Sequence, residues 1–189
     1  MTKLVVLYDA CVLYPAPLRD LLMHLALTNI YQAKWTANIH EEWIRNVLLK
    51  RPDLKPAQLQ RTRNLMDTSV RDVLVEQYEH LIPALNLPDV NDRHVLAAAI
   101  KSAAAIILTF NLKDFPHQVL KKYHIKAVHP DQFLSQLLTI EPVLVCAAIS
   151  RLRAALKNPP ISVSSYLSIL EQQNLPQTVA DLRHLVDYL

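Results

Sequence analysis

The chain has 189 residues, a formal net charge of +3, 20% charged and 51% hydrophobic residues, and no glycine. That length suits one domain, or one domain with an appendage, and supplies enough apolar chain for a real core. The missing glycines exclude GxGxxG, Walker A and glycine-rich phosphate loops, so any phosphate must be held by a metal or by cationic side chains.

Residues 3–8, "KLVVLY", are β-branched and apolar, as in a strand buried on both faces, and Asp9 follows directly. A lysine before an apolar run is also how a signal peptide starts. This run is short and Asp9 interrupts it, so a strand is the better reading. After "YPAP", the spacing of Leu18, Leu21, Leu22, Leu25 and Ala26 predicts a helix with one apolar face. "YQAKWT" predicts a short strand, and "NIHEEWIRNVLLK" a helix capped by Asn38 and ended by Pro52. From Ala57 to about Glu79 the pattern predicts a longer polar helix, with Arg61, Arg63 and Arg71 on a solvated face.

"LPDVNDRHVLAAAIKSAAA" opens with capping acids, becomes an alanine-rich helix and leads into a strand from Ile106 to Phe110. A helix opens at Pro116, "HIKAV" is the last candidate strand, and "PDQFLSQLL" is a helix with Pro130 in its first turn. Strands alternating with helices predict a parallel α/β sheet covered on both faces. Beyond Thr139 the strands stop. "EPVLVCAAISRLRAAL", "SVSSYLSILEQQ" and "PQTVADLRHLVDYL" read as helices separated by "KNPP" and "NLP". The expected organisation is a domain over residues 1–139 and a helical extension over 140–189. No stretch of roughly twenty residues is apolar enough to span a bilayer.

The candidate chemistry lies in the acids. In open parallel sheets ligands gather beyond the carboxyl ends of the strands. Asp9 ends the first strand, and Asn111 and Asp114 follow the strand at 106–110, so both segments deliver polar groups to one edge of the sheet. Asp92 precedes Val95 and Leu96 by three and four residues and shares their face, where an unpaired charge is costly to bury and calls for a cation nearby. Capping of the helix by Asp89 or Asp92 is the plain alternative for either acid alone. Glu41 and Glu42 flank the apolar face of Ile39, Trp43 and Val47 on opposite sides, and helical geometry does not choose between them. Several carboxylates converging on one place repel each other. A hard divalent cation such as Mg²⁺ or Mn²⁺ resolves that repulsion and can activate water against a phosphodiester.

"LVVLYDACVLYP", "HEEWIRNVL", "PDVNDRHVLAAAI" and "ILTFNLKDFP" occur in the order seen in PIN-domain nucleases, and the chain resembles that family over about residues 3–138. Such proteins are metal-dependent ribonucleases preferring single-stranded RNA, built as three-layer α/β/α sandwiches with a mostly parallel central sheet. Many are VapC-like toxins of toxin–antitoxin pairs. The resemblance implies Asp9, Glu42, Asp92 and Asp114 as the acids that bind Mg²⁺ or Mn²⁺ and carry catalysis. Glu42 is preferred because the family's acid immediately precedes a bulky apolar residue, here Trp43, with Glu41 as the alternative. Asn111 is the polar neighbour at the strand end, and Asp89 joins in the surroundings of the site. Many family members have aspartate where Asn111 stands, which implies one negative charge fewer here and weaker metal binding. The resemblance further implies an RNA substrate, a small antitoxin protein as partner and a homodimer.

Other residues read more blandly. Cys11 has no legible histidine–acid arrangement, so a small buried filler is the better reading than a nucleophile. His94 lies off the apolar face, where a solvated histidine competes with a phosphate contact. Arg45, Arg93, Lys101 and Lys113 fall near the motif acids and are candidates for the RNA backbone, against ordinary surface placement. Trp35 and Trp43 are candidates for base stacking, with core packing as the default. Two cysteines, Cys11 and Cys146, with no CxxC, argue against structural zinc and fit a reducing cytoplasm. Leu152, Leu156, Leu167, Leu170, Leu182 and Leu185 are available to cover the chain's own core, to form a dimer face or to receive an antitoxin helix, and the first is preferred.

Three functions therefore compete. An Mg²⁺- or Mn²⁺-dependent endoribonuclease leads. A catalytically weak PIN-like module binding RNA or a protein partner is the alternative. A metal-dependent phosphatase ranks last, because Ala10 and Cys11 replace the DxDx(T/V) signature after Asp9.

Overall fold

A computed structural model describes residues 3–157 and 159–189; Asn158, within the "KNPP" link, lies outside the described residues. Along the chain come β1 (Val5–Tyr8), α1 (Ala10–Leu13), α2 (Ala16–Leu27), β2 (Gln32–Lys34), α3 (Ala37–Lys50) and α4 (Pro56–Ser69). There follow α5 (Arg93–Lys101), β3 (Ile106–Leu108), α6 (His117–Leu120) and β4 (Lys126–Val128). The last four are α7 (Pro130–Ile140), α8 (Pro142–Ala155), α9 (Val163–Glu171) and α10 (Pro176–Arg183).

The chain divides into two compact units, one of Met1–Tyr14 with Tyr31–His129 and one of Pro15–Ile30 with Pro130–Leu189. The division expected at 139 and 140 follows the chain, whereas these units group α2 and α7 with the last three helices.

In the first unit, and among the described residues, the four strands form one all-parallel sheet in the order β2-β1-β3-β4. Val6, Leu7 and Tyr8 are wholly buried, as the apolar run predicts. Because β1 is central, its carboxyl end lies between those of β2 and β3. The pairing Tyr8↔Leu108 is extended by Asp9 N–H donating to the Leu108 carbonyl at 3.1 Å. The α/β class and the parallel sheet are as the sequence predicts.

Three local expectations need correction. The cap of α3 is Thr36, whose Oγ1 accepts from Ile39 N–H at 3.1 Å, and Asn38 lies inside the first turn. Thr36 has the extended backbone that a cap requires (φ −126°, ψ 167°) because it leaves β2. The polar helix ends at Ser69, since Val70 turns extended and Trp35 exchanges backbone hydrogen bonds with Val73 and Val75. The strand before Asn111 spans Ile106–Leu108, with Thr109 N–H donating to the Val128 carbonyl just beyond it.

Without glycine, left-handed turns fall to other residues. Ala103 has φ 51°, and Ala104 N–H returns to the Ala99 carbonyl at 2.9 Å to close the end of α5.

In the second unit, Asp131 binds the start of α10. Its carboxylate accepts from Gln177 N–H at 3.0 Å, from Thr178 N–H at 2.7 Å and from the Thr178 hydroxyl at 2.7 Å. Leu152, Leu167, Leu170 and Leu182 are buried, as the core reading of those leucines requires. Cys11 and Cys146 are both free. Among the described residues, no single helix is long and apolar enough to cross a membrane.

Candidate active site

The motif acids meet in the first unit. A cavity of about 560 Å³ is lined by Glu41, Glu42, Asp89, Asp92, Asn111 and Asp114 together with Arg45. Asp9 stands close enough for its charge to act on both Asp92 and Glu42. His94, which the sequence leaves between a solvated histidine and a phosphate contact, also lines the cavity, as do Asn38, Asn46 and Asn91, which the sequence does not single out for it.

Each acid is delivered by a different piece of backbone. Asp9 sits one residue past β1 and is 3% exposed. Its Oδ2 accepts the Thr109 hydroxyl at 2.6 Å and the Cys11 thiol at 3.1 Å. Burial pushes its carboxyl above the usual range, those two hydrogen bonds pull against that, and the charge of Glu42 adds to the rise. Thr109 is the residue that sequence reasoning missed. Its hydroxyl also accepts Asn111 N–H at 2.9 Å, so one side chain joins the end of β1 to the turn carrying Asn111 and Asp114.

Cys11 is no nucleophile here. Burial pushes its thiol up, the neighbouring Asp9 charge adds to this, and its sulfur accepts Phe110 N–H at 3.2 Å.

Asp92 stands at the entrance of α5, half-buried, ahead of the wholly buried Val95, Leu96 and Ala99. The side chains whose charges reach it are acids. After burial itself, the charges of Asp9, Asp89, Asp114 and Glu42 raise its carboxyl from 3.8 to about 7. Asp89 meanwhile caps the turn before α5, accepting Asn91 N–H at 2.8 Å.

The α3 glutamates separate in three dimensions. Glu42 lies near Asp9 and Asp92, and its Oε2 is 3.5 Å from His94 Nε2. Glu41 is exposed, lines the same cavity, and its charge also acts on Tyr78. Behind them, α3 is fixed by a buried chain in which Trp43 Nε1 donates to His40 Nδ1 at 2.9 Å. That leaves His40 Nε2 to donate to Asp67 at 2.8 Å, where Trp35 Nε1 also donates at 2.8 Å. Both tryptophans are wholly buried in this network and cannot stack on a base. Of the basic candidates, Arg45 lines the cavity. Arg93 reaches Asn86 at 3.5 Å, and Lys113 is exposed.

The donor set is all oxygen, which suits Mg²⁺ or Mn²⁺ over softer metals. Among the described residues no three His, Cys, Asp or Glu side chains close to coordination distance. The fit rests instead on the gathering of Glu42, Asp89, Asp92 and Asp114 around one cavity beside the buried Asp9, where burial first and the neighbouring charges second raise Asp92, a cost that a bound dication relieves.

The family follows. A PIN-domain family profile matches residues 5–113, more than half of the chain, and the protein belongs to the PIN-domain family. Residues 130–184 match a second profile described as the VapC50 C-terminal domain. Among curated proteins, the chain is 44% identical over 108 residues to the "Putative ribonuclease VapC50" of Mycobacterium tuberculosis (strain ATCC 25618 / H37Rv). That similarity covers 57% of this chain and 63% of the relative, so the match spans less than two thirds of the relative's length. No solved structure matches the chain significantly.

Proposed function

We propose that the protein is a metal-dependent endoribonuclease that hydrolyses phosphodiester bonds of single-stranded RNA, and that it is the toxin of a toxin–antitoxin pair. One observation carries the reading: Glu42, Asp89, Asp92 and Asp114 line one cavity, with the buried Asp9 close enough for its charge to act on Asp92. Asp9, Glu42, Asp92 and Asp114 would hold Mg²⁺ or Mn²⁺. When bound, such an ion lowers the pKa of water and offsets charge developing on the phosphate.

The chain's own groups have separate tasks. Thr109 holds the Asp9 carboxylate, and Asn111 faces the same cavity with an amide. Arg45 is the cation on the cavity wall suited to the RNA backbone. Asp9 is 3% exposed, so the phosphate must enter the cavity, which a splayed single strand does more readily than a stiff duplex. The match to a protein named as a ribonuclease supports the substrate. The resemblance to VapC-like toxins adds an antitoxin partner to this reading, and we extend it to a homodimer working in the cytoplasm.

The test is cleavage of labelled single-stranded RNA with EDTA, Mg²⁺ or Mn²⁺, by the wild type and by Asp9→Asn and Asp92→Asn. Cleavage requiring the metal and both acids is expected. Retained cleavage in the Asp9→Asn/Asp92→Asn double variant overturns the assignment. No cleavage by folded wild type that fails to bind Mn²⁺ favours an RNA- or protein-binding module, with Asn111 as the reason.

A further inference from the structure

Three cavities follow one another along α3. The acidic cavity occupies its middle. At the N-terminal end it adjoins, through Asn38, a cavity of about 400 Å³ bearing Glu76 and Glu79. At the C-terminal end it adjoins, through Asn46, one of about 260 Å³ lined by Cys11, Tyr14, Leu49 and Lys50. A polyanion that follows α3 out of the acidic centre meets one or the other of these cavities, and they differ in charge.

The first exit repels phosphate. The second offers Lys50, whose Nζ lies 5.4 Å from the centre of the Tyr14 ring, and Arg51, whose charge also reaches Tyr14. Arg51 is shared with Asp53 at 2.6 Å, so Lys50 is the more available cation. Leu49 is 74% exposed beside them and adds an apolar rim. Glu42, Arg45 or Asn46, and Leu49 or Lys50 recur at helical spacing and form one stripe of α3. From Glu42 to Lys50 the stripe runs about 12 Å, more than one stacked nucleotide step of about 3.4 Å.

The geometry points to a nucleotide subsite at Tyr14, Leu49 and Lys50, reached by an RNA strand that runs from the acidic cavity toward the C-terminal end of α3. The base stacks on Tyr14, and Lys50 moves from the ring to the adjacent phosphate. This assignment rests on the nuclease reading and adds to it the direction of the strand and the place of the flanking nucleotide.

Anisotropy titration of a labelled oligouridine tests it, with Asp92→Asn protein and Mg²⁺ as the background that keeps the strand intact. Adding Tyr14→Ala weakens binding roughly tenfold, the effect of losing one stacked base, while Tyr14→Phe binds like the background. Adding Lys50→Met weakens binding and lowers the slope of log affinity against log salt by about one. Glu79→Ala, at the other exit, leaves affinity unchanged. The subsite is overturned if Tyr14→Ala and Lys50→Met both bind like the background, or if that background binds no RNA. Metal-dependent cleavage by the wild type with unchanged binding in these variants removes the subsite alone. Absence of cleavage by the wild type removes the nuclease reading itself.

Discussion

The Thr109 hydroxyl donates to Asp9 Oδ2 at 2.6 Å, although the two residues are a hundred positions apart in the chain. It links the ends of two neighbouring parallel strands and holds the most buried acid of the site. Replacing the hydroxyl by a methyl group of similar size removes that donor and also the acceptor used by Asn111 N–H. Thr109→Val should therefore lower Mn²⁺ affinity and RNA cleavage roughly 10- to 100-fold, the usual effect of losing a group that orients a metal ligand. Thr109→Ser should restore most of both. Calorimetry and initial rates check this, and Thr109→Val behaving as wild type refutes the role.

Metal-free protein should lose stability as the solution turns alkaline through neutrality. Asp92 ionises near 7 in the folded protein and near 3.8 otherwise, so the folded state binds this proton more tightly. The resulting stabilisation is complete below about pH 4 and is lost as pH rises through about 7. Asp92→Asn removes the effect and should raise the metal-free Tm at about pH 7.5 by roughly 2–4 °C, a modest gain because the carboxyl is only half-buried. Scanning calorimetry in EDTA between about pH 5 and 8 is the measurement. Parallel wild-type and variant curves would mean that the repulsion is relieved some other way.

Ala103 occupies the left-handed region at the end of α5 with φ 51°. An L-residue pays about 1–2 kcal/mol there, and glycine returns part of that through greater freedom when unfolded. Ala103→Gly should stabilise the protein by about 0.5–1 kcal/mol. A thermal melt showing destabilisation instead would contradict the conformational account.

Asp131 is 9% exposed and satisfies two backbone N–H groups at the start of α10 as well as the Thr178 hydroxyl. Asp131→Ala leaves these donors without an acceptor and should cost about 2–3 kcal/mol in urea denaturation. A loss within experimental error would show that water replaces the carboxylate.

Much of the first unit was legible because its signals are local. A β-branched run ending in Asp9, an acid spaced onto the core face of an alanine-rich helix, and an amide and an acid after a short strand can each be read within a few residues. The cap of α3 was misread for the same reason. Asn38 and Thr36 are both good caps, and only the departure of the chain from β2 gives Thr36 the extended backbone. The polar helix was drawn too long because nothing in its own composition announces that Val73 and Val75 bond to Trp35 across the fold.

By itself, then, the amino-acid sequence determined the parallel α/β class, the helical end of the chain and the candidate acids at the strand and helix ends, since periodicity and strand-end chemistry are properties of short segments. Tertiary structure alone decided which acids face one another. It brought Glu42 close to Asp92 and within 3.5 Å of His94, with Glu41 on the wall of the same cavity. It made Thr109 a partner of Asp9 and grouped α2 with helices more than a hundred residues later. Those relationships depend on distance in space, and electrostatic repulsion and hydrogen bonding act across that distance whatever the separation along the chain.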